Sequence, residues 1–560
     1  MKSSFGVKKF KSLLVAGTFT VIANYVVRLT DAVVAGNVIG ADALAGVNLA
    51  SPVLSAVAFL AGLIATGMAT NYSIAMGRME QRRAWEFFMQ ALWSVLIVGG
   101  AIGLTVFFCR DGFLSFFGAS AEVSAAAKGY LTWIWPVCLT ECFVGILVSL
   151  GYADGDSKLC MAAYGAIFTV NLVVSVVAVK LGMGTAGCAI GTVLAELVGI
   201  GVMSVHFWRK SNTLKPVRHF SLRDTWLIAE ASFGDSAAFL CDALLFLFVN
   251  KFLIVRFGSE ILPIAAVASM LWGFLELFNG IGVAVQPIVT VYYGEGNTVS
   301  IRRVMNCAMK VAAVEGLVLM VLFGVAPELV VALAGLVHPE AIAAAADMAV
   351  REMCFGFVPL AFAGLFNSYY MFVERSGLAG VVTFLCYLIM PVASLAGFSL
   401  LGERWVWLGI GFGPLLGMLV VMASIVFAGR KGDFPLLLSR GRDAKLHVFD
   451  LRLNDGEIVE TSQKVGELEG VPLRAALMTE EVLMVVKDRA KDRKLIGEVT
   501  VDLNDGVKLT IRDDGEIFDI TDADAEISSL RTFLVASVME RQSNRVNFIT
   551  TGFNRNVFKF

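Results

Sequence analysis

Charged side chains are scarce in this 560-residue chain. They make up 16% of the residues, whereas hydrophobic residues make up 57%, and soluble globular proteins carry about 25% charged residues. The shortage is concentrated before residue 430, so it excludes a soluble globular fold for that part of the chain. The formal net charge of −2 gives no indication of a nucleic-acid partner, and we expect none.

Cysteine and histidine are also few. The nine cysteines lie in or beside apolar segments, and none follows Cys386. Their spacing matches no metal site, so we interpret them as small apolar side chains rather than as a disulfide framework. The four histidines are scattered, and no hydrolytic or redox constellation is evident. We therefore expect that the protein is not an enzyme and that it binds neither a metal ion nor a cofactor.

Long apolar segments fill the chain up to about residue 428. A helix needs about 20 apolar residues to cross the hydrocarbon core, and isolated strands would leave backbone groups unsatisfied in lipid. We therefore predict twelve transmembrane helices. Their approximate bounds are 12–35, 44–76, 84–108, 127–151, 159–180, 186–208, 225–256, 262–292, 304–326, 345–373, 378–401 and 405–428.

The lysines and arginines between these helices are unequally distributed. Eighteen lie on one side of the predicted bundle and five on the other. The side richer in Lys and Arg is cytoplasmic in most membrane proteins. We therefore predict a multi-pass protein of the cell membrane with both termini in the cytoplasm.

An internal repeat divides the helices into two halves. The string GADALAGV at 40–47 follows helix 1, and GSEILPIAAV at 258–267 follows helix 7, about 218 residues later. In both halves the next helix ends at a glycine that precedes a pair of arginines. Parallel repeats of this kind are typical of transporters whose substrate site lies between the halves. The predicted division is an N-lobe at 1–208, a cytoplasmic linker at 209–223, a C-lobe at 224–428 and a separate domain at 429–560.

The last segment, 429–560, has a different pattern of short strands and helices. Strand-like alternation occurs at 445–453, 495–503, 507–513 and 545–550, with turn signals at 454–456 and 504–506. Apolar residues at helical spacing predict helices at 472–490 and 527–541. The complete prediction is an all-α polytopic membrane protein with twelve helices in two six-helix lobes, plus a small cytoplasmic α+β domain.

Two strings at corresponding positions of the halves resemble the multidrug and toxic compound extrusion (MATE) transporters. One is Asp31 followed by GNVIGADALAGV, Gly67 and Gly77-Arg78; the other runs from QP at 286–287 to YYGEGN at 292–297. The resemblance covers about residues 8–428. It implies export of small amphipathic, often cationic substrates across the lipid bilayer, against inward H⁺ or Na⁺. Separately, the C-terminal domain is a candidate to bind a cytoplasmic protein partner.

The resemblance also implies a cation-coupling site in the N-lobe. An Asp in helix 1 is the central carboxylate of one branch of that family, and Asp31 matches it. Helix 5 of that branch carries Asn and, one turn later, Asp; Asn171 matches the first, but Ser175 stands at the second position. Thr192 matches a Thr of helix 6. Glu196, one turn further, stands where a neutral residue is usual, and we hypothesise that it replaces the charge absent at Ser175.

Carboxylates inside membrane helices are costly, so each has a functional and a structural interpretation. Arg28 lies one turn before Asp31, and the two either form a structural ion pair or a cation site whose affinity Arg28 tunes. In the C-lobe, Asp242 and Glu276 lie deepest in apolar sequence. Each either binds a cationic substrate or pairs with a Lys or Arg of helix 7. Gln286 is the third C-lobe candidate.

The C-terminal domain resembles a degenerate form of the histidine-kinase-like ATPase fold of anti-sigma serine kinases. Glu480-Glu481 lies in a helix where that family has a Glu/Asn pair, and IRDDG at 511–515 resembles its Asp-x-Gly motif. The Asn that would hold Mg²⁺ is replaced by Met484 or Val485, and no glycine-rich lid follows. Phosphate would lack a backbone cradle, so the resemblance implies a nucleotide-incompetent regulatory module.

Two other functions stay open. A lipid-linked substrate flippase of the wider superfamily would need a strongly cationic central cavity, and these helices contain few central Lys or Arg. A membrane receptor would sense a ligand with its helices and signal through its C-terminal domain. Deletion of residues 431–560 would distinguish a transporter from a receptor, because export should survive the deletion and signalling should not.

Overall fold

The computed structural model describes residues 4–117, 121–209, 211–258, 261–333, 340–429, 432–489, 494–515, 546–550 and 553–560. The first half of the membrane region is helical throughout. Its helices are α1 Phe5–Val34, α2 Ala41–Leu49, α3 Ser51–Gly77, α4 Gln81–Ser94, α5 Gly100–Phe117, α6 Ala121–Ile134, α7 Val137–Ala153, α8 Ser157–Ala178 and α9 Thr185–Ser204. Helices α1–α9 are called the N-lobe.

The second half is helical as well and is called the C-lobe. Its helices are α10 Leu222–Phe257, α11 Leu262–Gly273, α12 Asn279–Glu295, α13 Thr298–Val325, α14 Glu328–Leu333, α15 Glu340–Met353, α16 Phe357–Phe372, α17 Ser376–Thr383, α18 Met390–Ser399 and α19 Val406–Phe427. Side chains cap two of them. Ser221 Oγ accepts from the Asp224 N–H at the start of α10, and Asn297 Oδ1 accepts from the Ser300 N–H at the start of α13.

The predicted polytopic helical fold is confirmed. In the described ranges, eleven continuous helical spans are long and apolar enough to cross a membrane, and the bent pair α6/α7 gives a twelfth. That pair bends by 48° beside Pro136, which lacks the N–H that would continue the helical hydrogen bonds. The chain is a multi-pass membrane protein.

The two lobes meet where repeat-equivalent glycines pack together. A Cβ on Gly77 at the end of α3 would lie 2.9 Å from Gly294 Cα and 2.5 Å from the Val291 carbonyl oxygen at the end of α12. Only glycine permits this approach of the two backbones. The end of the bundle that holds Phe5, Gly77 and Glu295 is called the terminal face. On it, Arg78 of the N-lobe forms a 2.6 Å ion pair with Glu374 of the C-lobe.

The C-terminal domain is a five-stranded antiparallel sheet with two described helices. The strands are β1 Leu446–Arg452, β2 Ile496–Asp502, β3 Lys508–Asp513, β4 Val546–Thr550 and β5 Phe553–Lys559, in the order β1-β2-β3-β5-β4. The helices are α20 Asp455–Gly466 and α21 Leu473–Arg489. Val499, Val501, Leu509, Ile511 and Phe558 pack with these helices in an apolar core. Because side chains alternate along a strand, the other face of the sheet is polar.

The domain departs from the sequence prediction in two places. The turn predicted at 454–456 is instead the start of α20, where Asn454 Oδ1 accepts from the Glu457 N–H at 3.0 Å and caps the helix. The last strand, β5, is not predicted from the sequence. The four predicted strands and the helix at 472–490 correspond to β1–β4 and α21. The helix predicted at 527–541 lies outside the described residues.

Candidate functional site

A cavity of about 380 Å³ lies between the N-lobe and the C-lobe. Side chains from α1, α3, α6, α7, α8 and α9 line one wall, and side chains from α10, α11 and the turn before α12 line the other. A second cavity of about 210 Å³ shares Asn24, Glu141, Phe239 and Glu276 with it. Pockets at repeat interfaces are a common place for transporter substrates.

Asp31 is the centre of a hydrogen-bonded cluster on the N-lobe wall. Its Oδ2 accepts from the Tyr130 hydroxyl at 2.7 Å and from Thr192 Oγ1 at 2.8 Å, and Asn171 Nδ2 donates to Thr192 Oγ1 at 2.8 Å. Asp31 is 5% exposed, and Asn171 is fully buried. Four helices, α1, α6, α8 and α9, therefore hold one buried carboxylate.

Two oxygen atoms of this cluster are buried acceptors that lack a donor. Within the described part of the chain, neither Asp31 Oδ1 nor Asn171 Oδ1 accepts a hydrogen bond. Buried polar atoms are normally satisfied, and carboxylate and amide oxygens are the ligands that hard cations prefer. The cluster could therefore hold a proton on Asp31 or a small cation. The side chain of Arg28 lies outside the described residues, so its ion pair with Asp31 stays a prediction.

Ser175 and Glu196 lie differently from the other predicted N-lobe residues. Ser175 is fully buried against α9, and its Oγ donates to the Cys188 carbonyl oxygen at 3.4 Å. Like Asn171, it is outside the set of described residues that line the cavity, but it makes no hydrogen bond to the Asp31 cluster among the described residues. Glu196 does line the cavity and accepts a hydrogen bond from Thr140 Oγ1. The carboxylate of Glu196 thus shares the cavity with Asp31, whereas Ser175 packs two helices together.

The C-lobe wall carries two of the predicted carboxylates. Asp242 on α10 lines the cavity, and its Oδ1 accepts from Trp272 Nε1 at 2.8 Å. Glu276 lies in the turn Phe274–Phe278 and lines both cavities. Asp235 lines the smaller cavity. These acids point toward the space between the lobes.

Gln286 connects the lobes rather than lining the larger cavity. Its Nε2 donates to the Thr66 carbonyl oxygen at 3.2 Å and to Thr70 Oγ1 at 3.1 Å, both on α3. It also lines the smaller cavity. Tyr130 and Thr140, which bond the N-lobe carboxylates, are absent from the sequence prediction because a single Tyr or Thr in an apolar helix carries no distinguishing pattern.

The charged side chains that line the cavity of about 380 Å³ between the lobes are all acidic among the described residues. Its lining includes five carboxylates and, among the described residues, no Lys or Arg. The carboxylates are those of Asp31, Glu141, Glu196, Asp242 and Glu276. Clefts lined by one sign of charge with low-dielectric walls concentrate ions of the opposite sign, so this cavity favours cations.

A second buried polar region, absent from the sequence prediction, lies where the C-terminal domain contacts both lobes. Arg555 of β5 is fully buried. It donates to the carbonyl oxygens of Met76 at 3.0 Å and Gly77 at 2.9 Å, at the end of α3, and its Nε lies 2.8 Å from Glu295 Oε1 at the end of α12. One side chain of the domain therefore bonds the N-lobe and the C-lobe together.

Arg512 of β3 adds a buried charge network beside it. It forms ion pairs with Glu295 and, at 2.7 Å, with Glu498 Oε1 of β2, and its guanidinium lies over the Tyr292 ring. Glu498 Oε2 accepts from the Tyr292 hydroxyl at 3.1 Å and from Ser300 Oγ at 3.2 Å. The polar face of the sheet is thus the face that packs on the membrane helices.

Asp450 of β1 makes a further contact to both lobes. Its Oδ1 accepts from the Phe5 N–H at 2.8 Å, and its Oδ2 forms a 2.7 Å ion pair with Arg303 of α13. Burial raises the pKa of Asp450, and the Phe5 N–H and the charge of Arg303 oppose that shift. Arg302 of the same helix pairs with Asp443 at 2.6 Å.

Comparisons with known proteins were made for sequence families, curated proteins and solved structures. Residues 18–177 match the MatE family model, and no curated protein matches the chain. A structure described as the outward-facing conformation of a multidrug resistance MATE family transporter of the MOP superfamily is 20% identical, with a TM-score of 0.68; the match covers 77% of this chain and 100% of that one.

Two further structures match at similar levels. A MATE structure in the bent conformation is 19% identical with a TM-score of 0.68, over 76% of this chain and 98% of that one. A MOP superfamily transporter from Pyrococcus furiosus, whose description reports a binding pocket of reverse polarity that suggests a different function, is 20% identical with a TM-score of 0.67, over the same shares of the two chains. The resemblance seen in the sequence is confirmed: the chain contains a MatE domain and has the fold of the MATE transporters.

Proposed function

We propose that the protein is a secondary active exporter of small amphipathic cations. The observation that carries this proposal is the charge of the central cavity, which is lined by five carboxylates and, in the described part of the chain, by no Lys or Arg. Aromatic side chains such as Phe246 and Trp272 add apolar contact area on the C-lobe wall. A cavity of this charge suits a cationic substrate and would repel the anionic diphosphate of a lipid-linked sugar.

Inward movement of H⁺ or Na⁺ through the Asp31 cluster would drive export. Asp31 Oδ1 and Asn171 Oδ1 accept no hydrogen bond from the described residues. A proton on Asp31 Oδ1 would make that atom a donor, or both oxygens would ligate a Na⁺ ion. Coupling requires that the cation and the substrate favour different conformations, because a cation bound equally by both conformations shifts no equilibrium. Glu196 would act in the same cavity as a second carboxylate.

In this proposal the terminal face lies on the cytoplasmic side, as the distribution of Lys and Arg predicts. The described conformation would then be the one in which the cavity is closed to the cytoplasm. The contact of Gly77 with Gly294, the Arg78–Glu374 ion pair and the bonds of Gln286 all hold the lobes together near that face. Substrate entry from the cytoplasm would require these contacts to separate.

The test is efflux of a cationic dye from proteoliposomes under a pH gradient or a Na⁺ gradient imposed separately. The Asp31→Asn variant should lose gradient-driven efflux, because it removes the carboxylate at the centre of the described cluster. The matched control is Asp111→Asn, whose carboxylate is 62% exposed and pairs with Lys128. Gradient-driven efflux that is equal in Asp31→Asn and wild type would remove Asp31 from the mechanism.

A further inference from the structure

A cavity of about 620 Å³ lies at the terminal face, outside the site between the lobes. Four parts of the molecule form its wall: the ends of α3 and α12 with the start of α13, the connection between α16 and α17, the segment 437–442 before β1, and the β2–β3 turn with the end of β5. Pockets for small organic ligands have volumes of about 300–1,000 Å³. No residue of α21, where the ATPase resemblance places its Glu pair, is among the described lining residues.

Cations from all four parts reach this cavity. They are Arg78, Arg375, Arg442, Lys508 and Lys559. Arg78 is bonded to Glu374, and Arg375 Nη2 donates to the Leu437 carbonyl oxygen at 3.2 Å. A guanidinium has five N–H donors, so each arginine keeps donors for a ligand.

Lys508 and Lys559 lie directly opposite each other on β3 and β5. Like charges in such a pair are destabilising. Asp502 lies opposite Lys508 on β2, but among the described residues neither ammonium forms an ion pair. Burial lowers the pKa of Lys508 to about 8; the neighbouring Arg555 and Lys559 add to that shift, and Asp502 opposes it. An anion between the two lysines would relieve their repulsion.

The acidic groups on the wall already have partners. Glu295 is bonded by two buried arginines of the domain. Asp502 Oδ1 accepts from the N–H and the side-chain amide of Asn504 at 3.0 and 2.7 Å. Asp505 lies 3.9 Å from Arg442. The lysine pair is therefore the part of the wall whose charge is least compensated.

We propose that this cavity binds a small organic phosphate. Arg and Lys are the side chains that bind phosphate oxygens by charge-assisted hydrogen bonds. Tyr293, Val507 and Phe560 line the same space and offer apolar and aromatic surface to the carbon part of the ligand. A soluble phosphorylated metabolite and the phosphate headgroup of a lipid share this chemistry.

Occupancy of this cavity would hold the terminal face closed. A phosphate bound at once by Arg78, Arg375 and Lys508 would connect the N-lobe, the C-lobe and the C-terminal domain, and a ligand stabilises the conformation that it binds better. Such a ligand would slow export; this consequence rests on the proposed function, whereas the binding itself does not.

The experiment measures binding to the full-length protein in phosphatidylcholine nanodiscs by calorimetry, with AMP, ATP and pyrophosphate as probes. The Lys508→Gln/Lys559→Gln variant should bind the preferred probe about 10- to 100-fold more weakly, because it removes charge-assisted hydrogen bonds to the phosphate. That loss corresponds to about 1.4–2.8 kcal/mol at about 1.4 kcal/mol per tenfold change. Its thermal stability should not fall, because the substitution removes a repulsive pair. The matched control is Lys487→Gln on α21, whose lysine pairs with Asp455.

A second arm separates the two sources of phosphate. Nanodiscs that contain phosphatidic acid should weaken the binding of the soluble probe if a lipid headgroup occupies the site, and the lysine variant should be insensitive to that lipid. Affinity should also fall above about pH 8 as Lys508 loses its proton. Absence of binding by all three probes and by phosphatidic acid, or binding that the lysine variant leaves unchanged, would overturn the proposal.

Discussion

Removal of Arg555 should release the C-terminal domain from the terminal face. Arg555→Met keeps a long side chain but deletes the hydrogen bonds to the Met76 and Gly77 carbonyl oxygens and the 2.8 Å contact with Glu295. Removing one partner of a buried ion pair costs about 3–5 kcal/mol. At about 1.4 kcal/mol per tenfold change, the ratio of docked to undocked domain should fall about 100- to 4,000-fold.

The assay is amide hydrogen exchange of the full-length protein in nanodiscs, read at residues 292–300, where α12 passes into α13. Exchange there requires local opening, so it should accelerate by the same factor in Arg555→Met. The matched control is Arg452→Met, which removes an exposed arginine of β1. It should change exchange by no more than about twofold, since surface substitutions usually stay within about 0.5 kcal/mol.

A second variant tests whether the uncompensated buried charge of Glu295 is the cause. Adding Glu295→Gln to Arg555→Met should recover part of the protection from exchange, because the substitution removes the buried carboxylate that has lost its Arg555 partner. Arg512 keeps its ion pair with Glu498 in this double variant. Exchange in Arg555→Met that matches wild type within about twofold would refute the reasoning that this side chain holds the domain on both lobes.

Two other substitutions test the central cavity and the lobe contact. Glu196→Gln should abolish gradient-driven dye efflux if this carboxylate replaces the charge absent at Ser175; efflux that stays equal to that of the exposed control Glu122→Gln would end that hypothesis. Gly77→Val should separate the lobes at the terminal face, because its Cβ would lie 2.5 Å from a backbone oxygen of α12, whereas Gly165→Val has nothing within 4 Å. Disulfide cross-linking of Arg78→Cys with Glu374→Cys, in a Cys109→Ser background, should be slower with Gly77→Val; unchanged cross-linking would contradict the steric argument.

The N-lobe site could be predicted in part from the sequence. Asp31, Asn171 and Thr192 are brought together by hydrogen bonds of 2.8 Å, as the resemblance implies, because all three are polar residues at fixed places in apolar helices. Ser175 stays apart from this hydrogen-bonded cluster because it packs against Gly191 and Cys188 of α9. No pattern in the sequence shows that Asn171 joins the cluster and that Ser175 does not, because both are small polar residues one turn apart on the same helix.

The junction between the domain and the lobes could not be predicted. Arg512 and Arg555 lie in strands that alternate polar and apolar residues, and such arginines are usually exposed to solvent. Both are fully buried because the polar face of the sheet packs on the ends of α3 and α12. Burial of these charges depends on a contact between segments that lie hundreds of residues apart.

The sequence alone determined the membrane region and its division. Its scarcity of charge and its long apolar segments require helices, because lipid satisfies no backbone hydrogen bond, and the repeated glycine strings mark two related halves. Tertiary structure alone decided which charges face one another. Five carboxylates from both lobes surround one cavity, and Arg555 reaches Glu295 and α3 together, because packing brings distant residues within a few ångströms and sequence spacing does not record that distance.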